Sequence, residues 1–281
     1  MELDSGLSEN RNLSGQMEHD RPVKPSSNDI LQEKTSAEIQ GSDNSGIQQL
    51  ISQGLRSTPR SLPSLLLWDS IGLDLYEKIT ESPDYYLTRI EADVIRNNVD
   101  AIVQSIGANG VILELGSGSL SKTSIILGEF ARREMPLVNV NIQFLIGVDG
   151  NKVASTVSRA YDPSNGLSRR FALNGINNVN RILGASVFEA AKWTFDGTWD
   201  PQEEAFHTSI RSVEDQEVII ADEPLQISKG ENIRFILSRK LSSSQFEKWL
   251  TDTALQIMMV WEYSKFNYGL YQLAPASKSM L

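Results

Sequence analysis

The sequence predicts an α/β fold in which short buried strands alternate with amphipathic helices and an antiparallel hairpin closes the sheet. Three observations predict it. Residues 111–123, Val-Ile-Leu-Glu-Leu-Gly-Ser-Gly-Ser-Leu-Ser-Lys-Thr, run from an apolar strand through a glycine turn into a helix. Apolar residues between 88 and 106 recur with the i, i+4 rhythm of an amphipathic helix. Residues 255–261 and 268–273 read as two strands joined by a short loop.

Each element follows from local pattern. Residues 1–45 are rich in Ser, Asn, Asp, Glu and Gln and poor in apolar side chains, so they are expected to be a disordered tail. Order is expected from Ile47, where Leu50, Ile51 and Leu55 have helical spacing before the breakers Pro59 and Pro63. Leu65 to Ile79 suggests one or two short helices, and Ser82-Pro83-Asp84 a turn into Tyr85-Tyr86. The helix of 88–106 carries Ile90, Val94, Ile95, Val99, Ile102 and Val103 on its apolar face. Asn109-Gly110 ends it, and the strand to Glu114 follows. Ser124 to Arg133 reads as a helix stopped by Pro136, and residues 138–148 as a strand ending in Asp149-Gly150. Residues 151–161 and 166–183 read as helices, 212–227 as strand-rich, and 242–255 as a helix with Ser242 to Ser244 as candidate caps.

Composition narrows the function. The chain has 281 residues, 40% hydrophobic and 22% charged, with a net charge of −10. That charge argues against nonspecific nucleic-acid binding. There is no cysteine, which excludes disulfides, thiolate metal sites and cysteine nucleophiles. The two histidines, His19 and His207, give no expected metal site, and no Gly-x-Ser-x-Gly elbow accompanies His207. No apolar run approaches membrane-spanning length and no apolar leader is read, so the expectation is a cytoplasmic protein without a membrane partner.

The glycine turn carries the chemistry. Free backbone N–H groups and the positive end of a helix dipole gather ligands at such a place. Gly116 and Gly118 allow close approach where a Cβ would collide. The turn lacks the Walker spacing. It fits a nucleoside-cofactor turn of the S-adenosylmethionine type, or a glycine turn between any strand and helix.

Further stretches form a recognisable set with 114–123. They are Leu62-Pro63-Ser64-Leu65-Leu66-Leu67-Trp68-Asp69; Ile79-Thr80-Glu81-Ser82-Pro83-Asp84-Tyr85-Tyr86-Leu87-Thr88-Arg89-Ile90-Glu91; Ala160-Tyr161-Asp162-Pro163 with Phe171-Ala172-Leu173-Asn174-Gly175-Ile176; and Lys229-Gly230-Glu231-Asn232-Ile233-Arg234. Together they resemble the histidine-specific methyltransferase family, which includes the ergothioneine-pathway histidine methyltransferase and the fungal dimethylallyltryptophan N-methyltransferases. The resemblance runs from about residue 46 to 275 and is closest in style to the fungal branch.

The resemblance implies a class I S-adenosylmethionine-dependent methyltransferase sheet, Rossmann-like and reduced, with a second, substrate-binding subdomain. It implies S-adenosyl-L-methionine as methyl donor, and as acceptor the α-amino group of an aromatic amino acid or derivative, such as a prenylated tryptophan, in fungal secondary metabolism. Residues 46–91 and 191–244 would build the substrate-binding subdomain, and 92–190 with 245–281 the cofactor domain. Glu114, Gly116, Ser117, Gly118, Lys122 and Thr123 would bind the cofactor. Tyr85, Tyr86, Asn174 and Ser238 would bind the substrate, with Tyr86 and Asn174 as the catalytic pair. Tyr85 and Tyr86 as core aromatics, Asn174 as a helix cap and Lys122 as a solvated helix residue are the plainer readings. The expected partner is a small amino-acid-derived molecule, and no motif specifies an oligomeric state.

Two departures from the family matter. Ile236 stands where the histidine methyltransferase pattern has a glutamate, two residues before the serine, which points to a more hydrophobic acceptor than histidine. Residues 147–152 resemble a segment that lies much later in the family, just before the Ala160-Tyr161-Asp162 motif. On that reading about one hundred residues of sheet core are absent, and Asp149 is not the ribose-binding acid that a strand end would otherwise suggest. The alternative function is then a shortened, catalytically impaired homologue with a partner-binding role or none.

Overall fold

The computed structural model describes residues 44–106, 122–133, 143–251 and 253–276. The expected strand at 111–114 and its glycine turn lie outside the described residues, as do residues 1–43 of the expected tail, whose last residue, Ser45, instead opens a helix.

The first helices form where the apolar rhythm places them. Helix α1 is Ser45–Arg56, with Ile51 and Leu55 buried. A 3-10 turn at Ser64–Leu67 buries Leu66 and Leu67. Helix α2, Ser70–Thr80, starts at the Asp69 side chain, which accepts from the Gly72 N–H at 2.8 Å. Gly72 is required there, because an added Cβ would fall 1.7 Å from the Leu67 carbonyl oxygen. Helix α3 is Tyr86–Ile106 and buries Ile90, Val94, Ile95, Ile102 and Val103. Each such side chain contributes about 1.5–3 kcal/mol relative to exposure. Helix α4 is Thr123–Arg132.

Strand β1, Phe144–Asp149, follows. Helix α5, Ala154–Tyr161, begins three residues later than its sequence reading, because Asn151 and Val153 shape the turn through side chain and backbone. Helix α6, Leu167–Leu183, ends at Gly184, whose φ of 68° suits a C-terminal cap.

Three strands escaped the sequence reading: β2, Trp193–Asp200, β3, Ala205–Ser212, and β6, Asn232–Arg239. They form one antiparallel sheet in the order β2-β3-β6. Polar residues interrupt each of them, and Gly197 breaks β2, so the period-2 signal is weak. Between β3 and β6 lies the hairpin of β4, Gln216–Ile220, and β5, Glu223–Ile227. This is the region expected to be strand-rich.

Helix α7, Ser243–Leu250, opens with a capping box between Ser242 and Gln245. The hairpin of β7, Leu255–Tyr263, and β8, Tyr268–Pro275, follows as expected. A second sheet has the order β1-β8-β7, all antiparallel. Its central strand β8 is buried from Tyr268 to Leu273. Among the described residues there is no parallel sheet, only one isolated parallel bridge between Ser61 and Arg234. The main core joins α1, α2, α3 and α6 with the β2-β3-β6 sheet, while Val148, Phe246, Tyr271 and Leu273 form a smaller cluster.

Candidate active site

The carboxyl end of β1 meets the start of α3 and the end of β6 at a buried ionic centre. Asp149 is its hub. The Tyr86 hydroxyl donates to Asp149 Oδ2 at 2.6 Å, and Lys240 Nζ donates to the same oxygen at 2.5 Å. The other oxygen, Oδ1, accepts the Asn151 N–H at 3.0 Å. Lys240 is 1% exposed and Asp149 9% exposed. Such a pair persists only because each charge is matched and hydrogen-bonded. Asp149 is thereby committed to the buried ion pair.

Lys240 also reaches the Tyr161 hydroxyl at 2.8 Å and lies 4.5 Å from the centre of that ring. Burial opposes the Lys240 charge, but the Tyr161 and Asp149 oxygens hold its pKa above the ordinary lysine value. Burial, then the Asp149 charge and hydrogen bond, raise the Tyr86 pKa far above that of a free phenol.

Tyr161 leads from this centre to a cavity of about 200 Å³. Trp68, Tyr76, Tyr85 and Phe171 of α6 line it together with Ile236 and Ser238 of β6. The wall is strongly aromatic. Trp68 meets Tyr76 and Phe171 edge-on at 4.9 and 5.2 Å, and Tyr85 meets Tyr161 at 6.0 Å. The Tyr85 and Tyr76 hydroxyls are 3.2 Å apart. Burial, with neighbouring Tyr161 and Tyr76, raises the Tyr85 pKa.

The expected site residues divide by place. Tyr85 and Ser238 line the cavity together with Ile236. Tyr86 does not; its ring stacks on Phe266 at 5.1 Å and its hydroxyl serves Asp149. Asn174 is buried in the middle of α6, not at a cap, and its Nδ2 donates to Asp69 Oδ1 at 2.7 Å. Lys122 is ion-paired with Glu91 at 2.8 Å rather than solvated, and Thr123 opens α4. Glu114, Gly116, Ser117 and Gly118 lie outside the described residues.

Lys240, Asp149 and Tyr161 were not assigned roles from the sequence. The signal for Lys240 was its place two residues after Ser238. For Tyr161 it was the Ala-Tyr-Asp-Pro motif. His207 lies within 4.8 Å of Asp200 and Glu203 through their ligand-type atoms, but Asp200 Oδ1 already accepts two backbone N–H groups of its own turn.

Helix α4 begins at Thr123 and presents the positive end of its dipole there. That chemistry suits the carboxylate of an amino-acid-bearing nucleoside. Glu91 pairs with the neighbouring Lys122 ammonium at 2.8 Å.

Comparison with known proteins agrees. A family model described as histidine-specific methyltransferase, SAM-dependent, matches residues 47–143 and 129–275. N-methyltransferase imqF of Aspergillus flavus is 24% identical over 300 residues, covering 77% of this chain and 81% of that protein. Histidine N-alpha-methyltransferase of Mycolicibacterium smegmatis is 40% identical over 88 residues, 30% of this chain and 27% of that protein. The 4-dimethylallyltryptophan N-methyltransferase easF of Claviceps fusiformis is 37% identical over 75 residues, 27% of this chain and 21% of that protein. The alignment to imqF runs over 300 positions but covers 77% of this chain, and the two pieces of the family match overlap over 129–143. That alignment therefore includes positions with no counterpart in this chain. No helix among the described residues is long and apolar enough to cross a membrane. With both matched stretches spanning most of its length, this chain belongs to the histidine-specific methyltransferase family and is an S-adenosylmethionine-dependent methyltransferase.

Proposed function

We propose that the chain methylates the α-amino nitrogen of an aromatic amino acid or derivative, of prenylated-tryptophan type, in fungal secondary metabolism. The observation that carries this reading is the aromatic cavity with Ile236 in its wall. A glutamate there would orient a polar ring. An isoleucine instead favours apolar surface, and Trp68, Tyr76, Tyr85 and Phe171 supply broad faces for an indole or prenyl group. In-line transfer needs a neutral amine held near attack distance of the sulfonium methyl.

Within this reading Gly116, Ser117, Gly118, Glu114, Lys122 and Thr123 hold the donor in a Rossmann-like domain. The second subdomain, 46–91 with 191–244, holds the acceptor. Tyr85 and Ser238 touch the acceptor directly. Tyr86 acts by fixing Asp149, and Asn174 by fixing Asp69 beneath the Trp68 wall. Aromatic faces can also steady a methylated ammonium product.

The test is a panel of L-tryptophan, 4-dimethylallyl-L-tryptophan, L-phenylalanine and L-histidine with labelled donor. Indole substrates are expected to be methylated at least about tenfold faster, in kcat/KM, than histidine. Ile236→Glu should shift that ratio toward histidine. A wild-type preference for histidine would overturn the substrate reading. No transfer to any of them, with no donor binding by calorimetry, would overturn the enzymatic one.

A further inference from the structure

A fully buried lysine beside a ligand cavity needs a reason. Lys240 is 1% exposed, and its Nζ contacts Asp149 Oδ2 at 2.5 Å and the Tyr161 hydroxyl at 2.8 Å. An ammonium is a donor only, with no acceptor lone pair. The Tyr161 oxygen must therefore accept from Lys240. Its own hydroxyl proton cannot return along that bond and is left for another acceptor. Tyr161 is part of the cavity wall, and stacking on Phe206 at 5.0 Å holds its ring in place.

We propose that Lys240 is a positioning residue for methyl transfer: it sets the Tyr161 hydroxyl as a hydrogen-bond donor toward an acceptor atom of the substrate. Asp149 is the counter-charge that makes the buried ammonium tolerable, and Tyr86 fixes Asp149 in turn. Three elements that are far apart in sequence, the end of β1, the end of α5 and the end of β6, thus combine to orient one phenol. The inference rests on the proposed function, since it needs an amino-acid-like occupant in the cavity.

The experiment is a mutant cycle with four chains: wild type, Tyr161→Phe, the paired variant Asp149→Asn with Lys240→Met, and the combination of all three. The paired variant removes both charges together, so neither is left buried alone. Folding is checked by thermal melting. Methyl transfer from S-adenosylmethionine to L-tryptophan is measured for kcat and KM, and L-tryptophan binding by calorimetry with S-adenosylhomocysteine present.

Tyr161→Phe is expected to raise the L-tryptophan KM and Kd about tenfold, the usual scale for a charge-supported hydrogen bond. The paired variant should raise them comparably, with a smaller change in kcat. Adding Tyr161→Phe to the paired variant should cost less than about twofold more, because the two act as one unit. Equal cost of Tyr161→Phe on both backgrounds would overturn the proposal. So would a folded paired variant with unchanged KM and Kd. If wild type neither binds nor methylates L-tryptophan or any other acceptor in the panel, the functional reading falls and this inference with it.

Discussion

Asp69 and Lys240 show how single side chains tie the site to the fold. Asp69 Oδ1 accepts both the Gly72 N–H and the Asn174 amide. Asp69→Ala is expected to cost about 1–2 kcal/mol from the lost cap, with a further about 1–3 kcal/mol from the unpaired buried amide. Urea unfolding measures it, and a loss below about 0.5 kcal/mol would contradict the role. Lys240→Met alone should cost about 3–5 kcal/mol, because it strands the Asp149 charge in the interior. Adding Asp149→Asn should recover much of that loss; a paired variant no more stable than the single one would count against the ionic hub. Tyr85 and Ser238 were expected from short local stretches of sequence, and both line the cavity. The Asp149–Lys240 pair was not, since its members are 91 positions apart and only the fold brings them together.

Elements differ in how openly they announce themselves. Helix α3 could be read because its apolar positions repeat over about four turns. The capped helix α7 could be read because Ser242 opens it. Strands β2, β3 and β6 could not, because cross-strand pairing rather than pattern makes them strands. Helix α2 carries an element-scale prediction. Its backbone passes so close to Leu67 that Gly72→Ala must displace the chain. The variant is expected to lose about 1–3 kcal/mol despite alanine's better helix propensity. A neutral or stabilising result by thermal melting would show that the approach is looser than described.

At the scale of the whole molecule, stability should depend on alkaline pH. Tyr85, Tyr86, Tyr268 and Lys240 all have pKa values raised in the fold. Burial is the leading cause for the tyrosines; for Lys240 burial opposes, and the Tyr161 and Asp149 oxygens outweigh it. A raised pKa means that the folded state holds its proton longer. Its stabilising contribution is complete below the unfolded values of 10.0 for tyrosine and 10.5 for lysine, and is lost as pH rises through the folded values. The urea midpoint should therefore fall above about pH 10. A midpoint that rises there would contradict the buried network. Donor binding is a second whole-molecule observable. S-adenosylmethionine at about one hundred times its Kd should stabilise the fold by about 2.7 kcal/mol, visible as a higher Tm. No shift, with no calorimetric binding, would sink the cofactor assignment for this chain.

The sequence alone determined the family motifs, the donor, the amphipathic helices and the closing hairpin, because these depend on residues near one another along the chain. Local propensity and short-range spacing carry that information. Only the tertiary structure decided that Tyr86 serves Asp149 rather than the cavity, that Asn174 braces Asp69, and that Tyr161 and Lys240 stand beside Tyr85, Ile236 and Ser238. Those assignments depend on which distant segments are packed together in a water-poor interior, where an unmatched charge or amide costs too much to persist.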